Sequence, residues 1–336
     1  MEPDALDRVG RVPHGGESDT DVLDFSANVN TRTPDGVGGV YGAALERSRR
    51  YPDDGYPEFR AAAAEYVGCV PDQIVPTPGG LAAIRFAIEC ALTPGDDALV
   101  PAPSFGEYAR EVRLQGAAPE FVAHDRLLDA DPEAYDLVIV CNPNNPTGDA
   151  YDPDALSAFA DDCAATGTTL LVDEAFLGFT DRPSLAGHEG AVVARSLTKL
   201  FGLPGLRAGF AVATGDRFDN LATARRAWNL GTPAAAVGAH CLRDESFVAE
   251  TRGRIASERD RLRAALDDRF GVHPSDAPFL LLDCGDRSVD AVLDRARENG
   301  IALRDARTFR GLDSHIRVAV KDRAANDRLL EVLADG

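Results

Sequence analysis

Ser196-Leu197-Thr198-Lys199-Leu200-Phe201-Gly202-Leu203-Pro204-Gly205-Leu206-Arg207-Ala208-Gly209 holds one of only two lysines in a chain of 336 residues; the other is Lys321. Elsewhere the cation is arginine. A lysine amine can condense with an aldehyde, whereas a guanidinium forms no stable imine. Ser196 and Thr198 alternate with Leu197, so both hydroxyls can face one side, and Arg207 follows eight residues after Lys199. That company suits a covalently held aldehyde bearing a phosphate, with Arg207 as a bidentate phosphate contact. Position alone favours a surface lysine in a loop, so the rest of the chain has to decide.

Around this run strands alternate with helices. Ile74–Thr77, Ala98–Pro101, Leu137–Cys141, Thr169–Val172, Ala191–Arg195 and Gly209–Val212 read as strands. Pro57–Val67, Gly80–Leu92, Ser104–Leu114 and Asp154–Ala165 read as helices. This alternation implies α/β architecture, a mostly parallel sheet covered by helices on both faces. After Trp228 the pattern changes to a long helical stretch with turns inside it (Pro233–Arg269), then strand Phe279–Asp283, helix Val289–Glu298, strand Ile316–Val320 and helix Arg323–Leu333. Residues 46–232 are therefore expected to form a large domain and 233–336 a smaller α+β domain. Residues 1–55 read as irregular, rich in Gly, Pro, Asp and Asn, and residues 1–45 are expected to be an arm joining the small domain.

Composition narrows the class. Hydrophobic residues make up 44% and charged residues 27%, an ordinary globular profile. The balance of 35 basic and 55 acidic residues gives −20, which should repel nucleic acid and anionic membrane surfaces. Scattered carboxylates with so few lysines also suit a protein that works in high salt. The six cysteines form no C-x-x-C pair, so no metal site is expected. The acidic start and the lack of a long apolar run predict neither a secretory signal nor a membrane span, hence a reduced, cytoplasmic protein.

In an open α/β sheet ligands gather at the carboxyl ends of strands. Gly79-Gly80-Leu81 follows a strand and opens a helix, where bare backbone N–H groups bind phosphate. Asn142-Pro143-Asn144-Asn145-Pro146-Thr147-Gly148 follows another strand and also reads as a rigid turn. Asp173-Glu174 ends a buried strand, where a carboxylate needs a partner such as a protonated pyridine nitrogen, or serves as an N-cap or ion pair. With Lys199 these groups answer the needs of pyridoxal 5′-phosphate: an amine for its aldehyde, an acid for its ring nitrogen, a donor for its phenolate oxygen and a phosphate cup.

In their order these motifs resemble the fold-type I pyridoxal-phosphate enzymes, aminotransferase classes I and II, over nearly the whole chain. The resemblance implies that Lys199 bonds the cofactor aldehyde, Asp173 pairs with the ring nitrogen and Asn145 bonds the phenolate oxygen. It assigns the phosphate to Gly80, Leu81, Ser196, Thr198 and Arg207, and a stacking ring to Phe105 in Pro103-Ser104-Phe105-Gly106-Glu107-Tyr108. Tyr51, in Arg50-Tyr51-Pro52-Asp53, matches a tyrosine that reaches the phosphate of a neighbouring subunit, which implies a homodimer with shared sites. Arg317, in His315-Ile316-Arg317-Val318-Ala319, matches the arginine that binds a substrate carboxylate.

Two branches of that family take phosphorylated substrates: histidinol-phosphate aminotransferase and threonine-phosphate decarboxylase, whose product enters cobalamin assembly. His14-Gly15-Gly16, Leu23-Asp24-Phe25-Ser26-Ala27-Asn28-Val29-Asn30, Phe105, Asp173-Glu174-Ala175-Phe176 and Arg317-Val318-Ala319-Val320-Lys321 are more similar to the decarboxylase. The arm departs from it where Asn30 leads into Thr31-Arg32-Thr33-Pro34 instead of an Asn-Pro-Leu-Gly-like stretch. Arg304 matches a substrate-phosphate site of the aminotransferase branch, and Asn28, His14 and Arg32 are further substrate-side candidates on the arm. Decarboxylation of O-phospho-L-threonine is the expected activity, transamination the alternative. A non-catalytic binding protein on the same fold would have no need of Lys199, Asp173, Asn145 and Arg317 together.

Overall fold

Leu137–Cys141 is apolar and buried at every position, and it lies inside a seven-stranded sheet. The computed structural model describes residues 1–333. The sheet order is Ile74–Thr77, Gly209–Val212, Ala191–Ser196, Thr169–Asp173, Leu137–Cys141, Asp97–Ala102, Ala118–Ala123. Gly209–Val212 is antiparallel to both its neighbours, and all other neighbouring pairs are parallel. Successive side chains on a strand point to opposite faces. Val138 and Val140 accordingly pack with Leu156, Phe159 and Cys163 of helix Pro153–Thr166. Leu137 and Ile139 pack on the other face with Ala83, Ile84 and Ile88 of helix Gly80–Ala91. Burial on both faces is why these strands are continuous apolar runs.

A second, antiparallel sheet has the order Arg304–Asp305, His315–Ala319, Phe279–Asp283, Gly271–Val272. The N-terminal segment is bonded to this part of the molecule. Leu23–Asp24 pairs in parallel with Ile301–Ala302, Phe25 N donates to Ala302 O, and Ala319 N donates to Phe25 O. Among the described residues no helix is long and apolar enough to cross a membrane.

Several elements differ from the sequence reading. Residues 1–55 are not irregular throughout: Val37–Arg47 is a helix that runs across residue 45 and packs on helix Thr232–Leu242. Its Val-Gly-Gly-Val-Tyr-Gly start has poor helix propensity, so tertiary packing decides it. The helix expected from Ser104 begins at Glu107, after the cis Ala102–Pro103 bond. The stretch Pro233–Arg269 is interrupted as expected, into Thr232–Leu242 and Glu245–Leu266, the second capped by Asp244. Strand Ala118–Ala123 is a half-exposed sheet edge containing Pro119, which hides it from a search for apolar runs. Helix Gly215–Ala224 has one buried side chain, Leu221, and also went unread.

Candidate active site

The strands that run parallel in the large sheet end on one edge, and a cavity of about 380 Å³ opens there. Its walls include Gly80, Leu81, Phe105, Asn145, Asp173 and Lys199. Ser196, Thr198 and Arg207 also line it. Asn28, His14, Arg304 and Arg317 line it too, brought there by the arm and the small sheet. Residues from Val12 to Arg317 thus share one space. Tyr51 is not brought to it: this ring is 78% exposed and stacks on Trp228 with centroids 4.4 Å apart.

Two glycines shape the floor. A Cβ on Gly79 would come within 2.6 Å of Arg207 Nη2, and one on Gly80 within 2.8 Å of Ser196 Cβ. Only backbone fits between them, so the first N–H groups of helix Gly80–Ala91 stay bare beside the Ser196 and Thr198 hydroxyls. Those hydroxyls lie 2.8 Å apart, and Ser196 caps the short helix Leu197–Leu200 that carries Lys199. Arg207 adopts the left-handed backbone region at φ 55°, uncommon for a side chain of this size. Bare helix N–H groups, two hydroxyls and a guanidinium form an anion cup.

The Asn-Pro loop divides its labour. Asn142 Oδ1 accepts from Tyr151 N, and Asn144 Nδ2 donates to Pro103 O and Thr147 Oγ1, so these two hold the turn. Asn145 instead accepts from Arg317 Nη1 at 2.5 Å through Oδ1, which turns its amide nitrogen free to donate. Asp173 accepts from Tyr108 Oη at 2.6 Å and from Ala175 N at 2.9 Å. Burial raises its pKa, and the Tyr108 phenol is the leading force holding it down. Its neighbour Glu174 is structural, paired at 2.8 Å with the buried Arg195. Tyr108 is a site residue that sequence reading missed. It stands three places after Phe105 in the same motif, and that spacing on a helix start was its only signal.

Among the described residues the Lys199 amine donates to no protein acceptor. Burial first, then Arg317 and Arg207, push its pKa down from 10.5 to about 8, against the pull of Asp173. A neutral amine near physiological pH is what attack on an aldehyde requires. Arg304 and Arg317 are directly opposed in the register of their antiparallel strands and both lie against Phe309. Burial lowers the pKa of each guanidinium, and Arg304 adds repulsion at Arg317. Phe309, unread in the sequence, is the apolar plate under both.

The family model for aminotransferase class I and II matches residues 21–333. The chain belongs to the aminotransferase class I and II family. It is 32% identical over 339 residues to threonine-phosphate decarboxylase of Salmonella typhimurium, covering 95% of this chain and 92% of that one. It is 30% identical over 328 residues to histidinol-phosphate aminotransferase 2 of Archaeoglobus fulgidus, covering 94% of each. The solved L-threonine-O-3-phosphate decarboxylase of Porphyromonas gingivalis superposes with a TM-score of 0.84 at 25% identity, covering 93% of this chain and 98% of that one. The class I/II fold brings pyridoxal 5′-phosphate as cofactor. The residues present fit it: an unpaired buried amine, an anion cup, a carboxylate without a cation and a free amide donor converge on one cavity.

Proposed function

We propose that this chain decarboxylates O-phospho-L-threonine, releasing CO₂ and leaving aminopropanol phosphate. The observation that carries the reading is the opposed pair Arg304 and Arg317. Both are buried, and among the described residues neither has a carboxylate within ion-pair distance. Opposed residues on antiparallel strands stand roughly 5 Å apart at Cα. Two unpaired cations at that spacing call for two anions on neighbouring carbons. O-phosphothreonine has a carboxylate on Cα and a phosphate on Cβ. Histidinol phosphate offers one anion and an imidazole.

Bound pyridoxal phosphate supplies an electron sink for the pair left on Cα when a bond there breaks. Lys199 would hold its aldehyde carbon, Asp173 its ring-nitrogen proton, Asn145 its phenolate oxygen, and Gly80, Leu81, Ser196, Thr198 and Arg207 its phosphate. Phe105 would cover its ring. Arg304 and Arg317 would bind the two substrate anions, with Asn28 and His14 closing the arm side. His14 Nε2 lies 2.9 Å from Glu107 Oε1, which orients the ring at the cavity wall. As CO₂ leaves, Cα needs a proton, and Lys199 Nζ, with its pKa drawn toward neutrality, is the group placed to supply it. Tyr51 would serve the phosphate of a second copy in a homodimer.

The test is purified protein with pyridoxal phosphate and O-phospho-L-threonine, and no 2-oxo acid. CO₂ release is the expected result. No CO₂, with 2-oxoglutarate-dependent turnover of histidinol phosphate, would replace this reading by the aminotransferase one.

A further inference from the structure

The second lysine lies outside the cavity wall. Lys321 follows strand His315–Ala319, which carries Arg317. Its Nζ donates to two backbone carbonyls on the arm, Ala27 O at 3.1 Å and Val29 O at 3.2 Å. Those carbonyls flank Asn28. Val29 N also donates to Ala27 O at 3.0 Å, so Asn28 is the apex of a three-residue turn whose two ends the ammonium grips. Asn28 is 4% exposed and lines the cavity, and its Oδ1 has no hydrogen-bond partner. A buried amide oxygen without a hydrogen-bond partner is destabilising, so something must hold it there.

The anchor is itself fixed. Lys321 N donates to Asn326 Oδ1, Asn326 Nδ2 donates to Lys321 O and to Glu258 Oε2, and Asn326 is fully buried. The next arm residue ties the strap to the other side of the site. Asn30 N donates to Lys199 O at 3.0 Å, Asn30 Nδ2 donates to Leu200 O at 2.8 Å, and Arg254 Nη2 donates to Asn30 Oδ1. Gly202 makes room, because a Cβ there would meet Arg32 O at 2.4 Å and Asn30 O at 2.8 Å. One short segment therefore links the strand of Arg317 to the turn of Lys199. An ammonium suits the grip because it is compact and has three rotatable donors, whereas a guanidinium presents a flat fork.

We propose that Lys321 is a positioning residue: it clamps the Ala27–Val29 turn so that the Asn28 amide faces the substrate. This rests on the reading of the cavity as the site of a phosphorylated amine or amino acid. It is tested on the cofactor-loaded protein with Lys321→Met, Lys321→Gln, Asn28→Ala and the double variant. Lys321→Met should raise KM about ten-fold, with kcat changed less than three-fold and cofactor affinity within two-fold. Lys321→Gln, which keeps one donor, should fall between. The double variant should be no worse than Asn28→Ala alone, since both remove one interaction. Without substrate, hydrogen exchange at the Val29 amide should rise about ten-fold in Lys321→Met and stay unchanged over Thr169–Asp173. Additive losses, or unchanged exchange at Val29, would overturn the clamp. If neither O-phospho-L-threonine nor histidinol phosphate perturbs the cofactor absorbance of the unmodified protein, the substrate reading fails, while the exchange result still judges the clamp.

Discussion

At Lys199 the chemistry depends on a proton. Its amine has a pKa near 8 where 10.5 is ordinary, and burial is the first cause. Below pH 8 the neutral fraction falls ten-fold for each unit, so the rate at which apoprotein captures pyridoxal phosphate should rise with pH up to about 8 and level off above. A stopped-flow absorbance series across pH 6–10 checks this; a rise continuing to 10.5 would show an unperturbed amine. Stability moves in the same direction with pH. A lysine whose folded pKa is depressed stabilises the fold above its unfolded value, and that contribution is lost as pH falls through 8. The drop corresponds to about 3 kcal/mol. Lys199→Met apoprotein should therefore melt higher than the unmodified apoprotein at pH 7, with the gap closing towards pH 10.5. The same variant should leave no borohydride-trapped cofactor.

At the level of elements, the surface next to the anion cup asks for cover. Helix Val37–Arg47 exposes Tyr41 at 45% and Leu45 at 54%, and Tyr51 and Trp228 add a stacked aromatic pair. Tyr41 and Leu206 line a hollow of about 260 Å³ that also contains Arg207. Large apolar side chains around the exposed Arg207 fit a second copy of the chain. Sedimentation should find a dimer, and Tyr41→Asp with Leu45→Asp should give monomers whose cofactor affinity falls at least ten-fold. Monomers that keep full affinity would separate Tyr51 from the phosphate. This helix was also the least legible element, because three glycines mask it and its packing partner lies almost two hundred residues away. The site was far more legible. Lys199, Asp173 and Asn145 each stand just beyond or at the end of an apolar strand, and a parallel sheet gathers such ends on one edge. Tyr108 and Phe309 were not legible, because an aromatic residue looks the same in a sequence whether it supports a carboxylate, underlies two arginines or simply fills a core. Lys321 stood out as a rarity of composition and as the last residue of a decarboxylase-like stretch, with no role attached; its two carbonyl partners are backbone atoms, which no sequence displays.

Over the whole molecule, the charges are divided by place. The chain carries −20, yet Lys199, Arg207, Arg304 and Arg317 converge on one cavity. At low ionic strength the summed field opposes both compaction and the approach of a dianionic substrate. The Debye length falls from about 10 Å at 0.1 M salt to about 3 Å at 1 M, which screens the surface carboxylates. The buried arginine pair is screened much less, since short contacts in a closed site lie within even the shorter length. Raising salt from 0.1 to 2 M potassium chloride should therefore raise the melting temperature, and KM for the phosphorylated substrate should fall or stay level. A site that drew its substrate by surface cations would lose affinity over the same range. Thermal melts and initial rates measured on one salt series decide between them. A melting temperature that does not move with salt would mean that the acidic surface is no adaptation to a saline interior, and a rising KM would mean that the attraction lies outside the cavity.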